Sequence, residues 1–226
     1  MRDDTGGNNT GFETDLDPLT GLPRYEAFRA ACAETLARAC RTGGAASVGL
    51  LDIDLFARMN EEHGAGMGDA LLRRIAEALR VRLPKGTPVY RFGGDAFSVL
   101  LEGLEKEQAF LALEQARAAI AGPQALESEG QRIEWDLGLS GGVAACPDDG
   151  TEADEIIRKA TEALYRSKVG GRNRLYLARE EKMVTKTSHY PQGLLHGLSR
   201  LAAREGLGEA VLLREALQDL LMKYNG

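Results

Sequence analysis

The chain has 226 residues, of which 43% are hydrophobic and 27% are charged, and its formal net charge is -6. This length supports one domain of ordinary size plus a small appended module. No apolar run approaches the roughly 18–20 residues of a membrane span, and the negative charge argues against coating nucleic acid by bulk attraction.

The three cysteines, Cys32, Cys40 and Cys146, are odd in number and lack the spacing of metal ligands. The first two fall in an Ala-rich stretch with a helical pattern, which favours packing over redox chemistry. We therefore expect a cytoplasmic protein in a reducing compartment, with no membrane partner.

The first elements follow a polar start. Residues 1–14 are rich in Gly, Asp, Asn and Thr, and we expect a disordered lead-in there. DPLTGLPR then opens a helix through AACAETLARAC, and the apolar run ASVGLLDID predicts a buried strand with its aspartates at the carboxyl end. A short helix over LFARMNEEH precedes GAGMG, whose glycines lead into the amphipathic helix DALLRRIAEALRVRL.

The following elements complete an α/β (α+β) domain over residues 15–179. Alternation on both sides of Gly93 and Gly94 predicts a β-hairpin in PVYRFGGDAFSVLLEG. A helix over EKEQAFLALEQARAAIAG, one strand over IEWDLGLSGGVAAC, a helix over EADEIIRKATEALYRSKVGG and a strand over RLYLA come next. This order predicts a mixed sheet covered by helices.

A second module is expected over residues 184–226, after a change in sequence composition near residue 180. A polar extended segment, TKTSHYPQG, precedes two amphipathic helices over LLHGLSRLAAREG and EAVLLREALQDLLMKY. The apolar residues of these helices exceed what a small hairpin can bury alone, so the module predicts a homodimer.

Carboxylates and glycines indicate a nucleotide site in the first domain. Asp52 ends a buried strand and Asp95 follows two glycines in a hairpin turn, so the two carboxylates can converge and share Mg²⁺ with substrate phosphates. Lys168 and Arg172 lie four apart at a helix terminus, where they can hold phosphates. The alternative is a solvated turn whose aspartates, including Asp54, only cap helices.

Together these motifs resemble the GGDEF family of diguanylate cyclases over about residues 17–178. The resemblance implies a palm-like nucleotidyl-cyclase fold and the joining of two GTP molecules into cyclic di-GMP by two facing domains. The segments that carry it are DPLTGL (17–22), DIDLF (52–56), Asn60, GMGDALL (66–72), RFGGDAF (91–97), SGGVA (140–144) and ALYRSKVGGRN (163–173).

The resemblance also implies roles for single residues. Asp52 and Asp95 would be catalytic and would ligate Mg²⁺ or Mn²⁺, with the Ile53 carbonyl assisting. Asn60 and Asp69 would hydrogen-bond the guanine edge. The remaining GTP-binding residues would be Gly93, Gly94, Lys168 and Arg172.

Four departures from the family pattern bear on activity. Ala96 replaces the Glu beside the metal-ligating acid, and Ala57 replaces a common lysine. Arg24-Tyr25 replaces Asn-Arg, and PKGT (84–87) replaces the Arg-x-x-Asp of feedback-inhibited members. Losing one such electrostatic group typically costs about 10²–10³ in rate, so we expect reduced turnover. The alternative is an impaired domain that acts as a GTP- or cyclic di-GMP-responsive regulator.

The tail resembles a ribbon-helix-helix module, in which paired strands enter the DNA major groove. By strand alternation, Thr185, Thr187 and His189 would face DNA. That set contains no Arg, and the alternative is a dimerisation hairpin with no DNA role.

Overall fold

The computed structural model of this chain describes residues 16–179, 187–205 and 208–224. The chain divides into two compact units, the first ending at Glu180 and the second beginning at Glu181. The lead-in predicted over residues 1–14 lies outside the described residues.

The first unit alternates helices and strands. Its elements are α1 (Tyr25–Thr42), β1 (Ala46–Ile53), α2 (Phe56–His63), α3 (Ala65–Arg82), β2 (Val89–Gly93), β3 (Ala96–Glu102), α4 (Lys106–Ile120), β4 (Gly122–Ser128), β5 (Gln131–Leu137), β6 (Leu139–Cys146), α5 (Ala153–Val169) and β7 (Leu175–Leu177).

Five of these strands form one mixed sheet with the order β2-β3-β1-β6-β7. The pairs are antiparallel except β6 with β7, and β1 lies at the centre with every residue buried. A central strand covered on both faces needs apolar side chains on both, which explains its nearly continuous apolar run. The predicted mixed sheet covered by helices is confirmed.

Two apolar clusters cover the two faces of the sheet. Leu51 and Ile53 of β1 belong to a cluster with α3 and α4, whereas Val48 and Leu50 belong to one with α1 and α5. Successive side chains of a strand alternate between faces, so Asp52 lies on the α1 and α5 side of the sheet.

One expected strand is wrong in its extent. The segment IEWDLGLSGGVAAC holds parts of two strands, β5 and β6, which are separated at Gly138. The strand β4, which pairs with β5 in a separate hairpin, had no counterpart in the expected order. Its sequence GPQALES is polar and buries only Leu126, because the hairpin lies outside the main sheet.

The helix α3 begins at Ala65, four residues before the expected start at Asp69. Glycine is a poor helix former, but Gly68 lies in this helix where it meets α2. A Cβ atom on Gly68 would overlap Asn60 Oδ1 and lie 3.1 Å from Phe56 Cζ. The glycine therefore marks a close helix approach.

The second unit contains the two expected helices, α6 (Gln192–Glu205) and α7 (Glu209–Tyr224). Residues 187–191 have no regular secondary structure in this single chain. No helix in the described parts of the chain has both the length and the apolar character needed to cross a membrane.

Candidate active site

The two predicted metal-binding aspartates come together at the end of the central strand. Asp52 lies opposite Ala96 in the β1–β3 ladder, and the Ile53 amide donates to the Asp95 carbonyl at 3.4 Å. The turn between β2 and β3 therefore brings Asp95 beside the carboxyl end of β1. Immediately after this end, Leu55 adopts a left-handed conformation with φ 60, which is uncommon for a residue with a side chain.

Asp52 is a buried carboxylate with one cation beside it. Lys168 Nζ, in the last turn of α5, forms an ion pair with Asp52 Oδ1 at 2.7 Å, without the alignment of a hydrogen bond. Burial is the main cause that raises the pKa of Asp52; Lys168 opposes the rise, and the charges of Asp95 and Asp54 add to it. A further cation at this carboxylate would relieve the repulsion between the aspartates.

Ala96 occupies the position where a second carboxylate would stand beside Asp52. It is the first residue of β3 and is buried. Residues directly opposite each other in an antiparallel pair place their side chains on the same face, about 4.5–5.5 Å apart. The substitution therefore removes a charge from this neighbourhood.

The two predicted guanine-binding residues lie on α2 and α3, near the contact of these two helices. Asn60 Oδ1 is buried, and it has no hydrogen-bond partner among the described residues. Asp69 follows Gly68, whose missing side chain makes room for that oxygen. An unpaired buried oxygen costs free energy, so a ligand that donates a hydrogen bond here would be favoured.

The glycine turn is supported by Arg91, which sequence reasoning did not assign to the site. Gly94 has φ 51, a conformation that favours glycine, and its carbonyl accepts a hydrogen bond from Arg91. The Arg91 guanidinium also lies 5.0 Å from the centre of the Phe97 ring and within electrostatic range of Asp69 and Asp95. The Arg91 guanidinium therefore adds positive charge near the turn that carries Asp95.

The second predicted phosphate-binding residue, Arg172, lies in a turn that Asp54 holds. Arg172 and Asn173 have φ 60 and φ 47, and the Asn173 amide donates to Asp54 Oδ2 at 2.9 Å. The other carboxylate oxygen of Asp54 accepts from Ser140 Oγ at 2.7 Å. Asp54 is thus buried and joins three segments, which neither the metal-site nor the cap hypothesis predicted.

Space for Asp54 comes from Gly138, where β5 and β6 separate. A Cβ atom there would lie 2.7 Å from Asp54 Oδ2. Spacing was the available signal in the sequence, because Asp54 follows Asp52 by two residues, just beyond the end of β1 at Ile53.

The donor set fits a divalent cation shared with a substrate. The described residues contain no group of three or more His, Cys, Asp or Glu side chains arranged to hold a metal. Asp52 and Asp95 supply two carboxylates, which is the usual protein share of a Mg²⁺ site completed by phosphates and water.

The predicted DNA-facing residues belong to the second unit. Thr187 and His189 are exposed. Thr185 lies outside the described residues, so the ribbon stays a prediction.

Comparison with known proteins agrees with the site's composition. The sequence model described as "Diguanylate cyclase, GGDEF domain" matches residues 14–174. The chain belongs to the GGDEF family. The diguanylate cyclase DgcP of Pseudomonas aeruginosa is 41% identical over 163 residues, which cover 72% of this chain and 24% of that protein.

Two further similarities show the range of the GGDEF family. The cyclic di-GMP phosphodiesterase NbdA of Pseudomonas aeruginosa is 32% identical over 171 residues, covering 76% of this chain and 21% of that protein. The isolated GGDEF domain of YfiN (TpbB), from the same organism, has a TM-score of 0.68 at 29% identity, covering 73% of this chain and 94% of that structure. The chain thus spans less than a quarter of the length of DgcP or NbdA.

Proposed function

We propose that this GGDEF protein binds GTP with a divalent cation, Mg²⁺ or Mn²⁺, and condenses two GTP molecules into cyclic di-GMP in the cytoplasm. The observation that carries the proposal is the convergence of Asp52 and Asp95 beside Lys168 at one end of the sheet. Family membership indicates the reaction class, and this convergence supplies the charges that the reaction needs.

Asp52 and Asp95 would hold the cation, with the Ile53 carbonyl as a further oxygen ligand. When bound, the cation would lower the pKa of the attacking 3'-hydroxyl and neutralise charge on the α-phosphate. In the structure, Lys168 forms an ion pair with Asp52 and offsets part of its charge. We infer that Lys168 turns from Asp52 to the β- and γ-phosphates when GTP binds, together with Arg172.

Asn60 and Asp69 would select guanine. The Asp69 carboxylate can accept hydrogen bonds from the N1 and N2 donors of guanine, whereas adenine presents an acceptor at N1 and leaves the carboxylate unpaired. A site that leaves a buried polar group unpaired with the wrong ligand discriminates strongly. Gly93 and Gly94 would let the phosphates approach the backbone of the turn.

The condensation needs two GTP molecules and hence two facing domains. The 3'-hydroxyl of one nucleotide attacks the α-phosphorus of the other, a new P–O bond forms, and pyrophosphate leaves; a second such step closes the ring. We propose that the C-terminal module pairs the two chains, because Leu194, Leu217 and Leu220 are at least half exposed in the single chain.

The test is product formation from GTP with Mg²⁺ or Mn²⁺, measured for the wild type, Asp52→Ala and Ala96→Glu. We expect slow synthesis of cyclic di-GMP by the wild type and faster synthesis by Ala96→Glu, by up to about 10²–10³. Asp52→Ala should be inactive. A wild type that binds GTP without forming product, beside an active Ala96→Glu, would refute the enzyme proposal.

The second candidate function is a regulator in which bound GTP or cyclic di-GMP controls a dimeric tail that binds DNA or protein. Ala96 favours it, since the position beside Asp52 carries no charge. For DNA, we expect salt-dependent binding that Thr187→Ala and His189→Ala abolish. Binding unchanged in both variants would exclude a DNA role for these residues.

A further inference from the structure

Two of the three cysteines lie side by side in the fold. Cys40 Sγ and Cys146 Sγ are 3.3 Å apart, although 106 positions separate them in sequence. Cys40 lies in the last turn of α1, and Cys146 is the last residue of β6. Both thiols are free, and their sulfur atoms are about 1.3 Å farther apart than the usual disulfide bond length of about 2.05 Å.

The two thiols differ in access to solvent. Cys40 is exposed and borders a surface groove with Ala37 and Thr151, whereas Cys146 is buried. Burial, contact with Cys40 and the nearby charge of Asp148 raise the pKa of Cys146 to about 11. Cys40 is therefore the thiol that a soluble oxidant meets first, and Cys146 is held behind it as a protonated thiol.

We propose that Cys40 and Cys146 are an oxidation site that forms an intramolecular disulfide with a hydroperoxide. The Cys40 thiolate attacks the peroxide, an S–O bond forms, and the O–O bond breaks to release water or an alcohol. The Cys146 sulfur then attacks the Cys40 sulfenic acid, the S–S bond forms, and the S–O bond breaks with release of water. Two thiols lose two electrons and two protons, and the peroxide is reduced.

The disulfide would join the end of α1 to the end of β6 and close a loop of more than a hundred residues. A cross-link of this kind stabilises mainly by restricting the unfolded chain. The proposal is independent of the GTP site, since neither cysteine belongs to the residues assigned to it.

The third cysteine provides a control within the same helix. Cys32 lies two turns earlier in α1 and is completely buried, and burial raises its pKa to about 12. Its reaction with peroxide is expected to be much slower, because the thiolate is the reactive form.

The test treats the reduced full chain with hydrogen peroxide until Cys40 is consumed, followed by alkylation, intact mass and peptide mapping. We expect the wild type to keep one of its three alkylatable thiols and to gain a Cys40–Cys146 cross-link that dithiothreitol reverses. Cys32→Ser should form the same cross-link and keep none. Cys40→Ser should keep two thiols, Cys32 and Cys146. Cys146→Ala should keep only Cys32, because Cys40 is oxidised to a sulfenic or sulfinic acid without a partner thiol. Neither variant should show the rise in Tm after peroxide that the wild type shows.

Three results would overturn the proposal. They are oxidation of Cys40 to a sulfinic acid with Cys146 still free, a cross-link between Cys40 and Cys32, and a cross-link between Cys40 and a second chain. Because Cys40→Ser changes an exposed residue, its folding can be checked separately by its Tm before peroxide is added.

Discussion

At the level of single residues, the charged form of Asp52 is energetically unfavourable in the folded protein. The carboxylate is buried next to Asp95, and Lys168 offsets only part of the cost, so the pKa of Asp52 is raised. Functional sites commonly contain buried ionisable groups with shifted pKa values, because a bound ligand stabilises their charged form. The bound cation of the proposed function is that ligand.

This cost predicts a pH-dependent stability difference between the metal-free wild type and Asp52→Asn. The ordinary pKa of the group is 3.8, and its folded value is higher. The folded state therefore holds the proton more tightly than the unfolded state does. The contribution of Asp52 to the free energy of unfolding is complete below pH 3.8 and is lost as the pH rises through the folded pKa. We expect Asp52→Asn to have a larger free energy of unfolding than the wild type at neutral pH, and this difference should shrink on acidification.

Denaturant unfolding of both proteins at several pH values measures this difference. A difference that grows on acidification would contradict the prediction.

A second prediction concerns Asp54, which holds the turn of Arg172 through the Asn173 amide. A hydrogen bond to a charged group contributes about 1.5–3 kcal/mol, so Asp54→Asn should weaken GTP binding by roughly tenfold to hundredfold. GMP lacks the β- and γ-phosphates, so its affinity should change little. Ser140→Ala is the milder control, since it removes only the Ser140 Oγ donor.

Competition binding of GTP and GMP measures this effect. A fall in GTP affinity alone supports Asp54 as a residue that positions Arg172. An equal fall for both nucleotides would indicate general damage to the fold and contradict the prediction.

At the scale of elements, the crossing of α2 and α3 depends on Gly68. Its replacement by Ala would overlap Asn60 Oδ1, and overpacking of this kind costs about 1–3 kcal/mol. We expect Gly68→Ala to lower both the Tm and the affinity for GTP. Gly66→Ala is the matched control on the same helix, because its added Cβ meets only the movable ends of Glu129 and Ser128, at 3.0 and 3.3 Å.

Thermal unfolding and GTP titration of the two variants check this prediction. Equal effects of Gly66→Ala and Gly68→Ala would mean that helix propensity, rather than the α2–α3 approach, governs the site.

The sequence predicted the elements whose patterns are local. Alternation around Gly93-Gly94 predicted the β2–β3 hairpin, and the apolar run before Asp52 predicted the central strand; both are confirmed. The polar strand β4 was missed because only one of its residues is buried, so its sequence lacks the alternation of apolar and polar residues that predicts a strand. The role of Asp54 was missed because its partner Asn173 lies 119 positions away and becomes a neighbour only through the fold. Arg91 was missed although its partners Phe97 and Gly94 lie within the predicted hairpin, because an arginine in a strand carries no sequence signal for such contacts.

At the scale of the whole molecule, the second unit leaves apolar side chains uncovered in the single chain. Leu217 and Leu220 of α7 are 57% and 50% exposed. Burying a fully exposed side chain of this kind contributes about 1.5–3 kcal/mol, and burying these half-exposed ones contributes less, which supports the proposed pairing of two chains through these helices. Under the proposed function, a dimer would supply the two nucleotide sites that one condensation needs.

We therefore predict that the wild type sediments as a dimer and that Leu217→Lys with Leu220→Lys sediments as a monomer. The double variant should also make cyclic di-GMP with a stronger dependence on protein concentration. Asp219→Lys is the control, because it alters charge on α7 without removing an apolar side chain. An unchanged dimer dissociation constant in the double variant would contradict pairing through the leucine face of α7.

Calorimetric titration of GTP with and without Mg²⁺ tests whether Asp52 and Asp95 form a cation-dependent GTP site. We predict that Mg²⁺ raises the affinity of the wild type for GTP by about tenfold or more, by analogy with the 10–100-fold losses seen when metal sites are perturbed. In Asp95→Asn the same ion should have little effect. Equal GTP affinity with and without Mg²⁺ in the wild type would show that these aspartates do not form such a site.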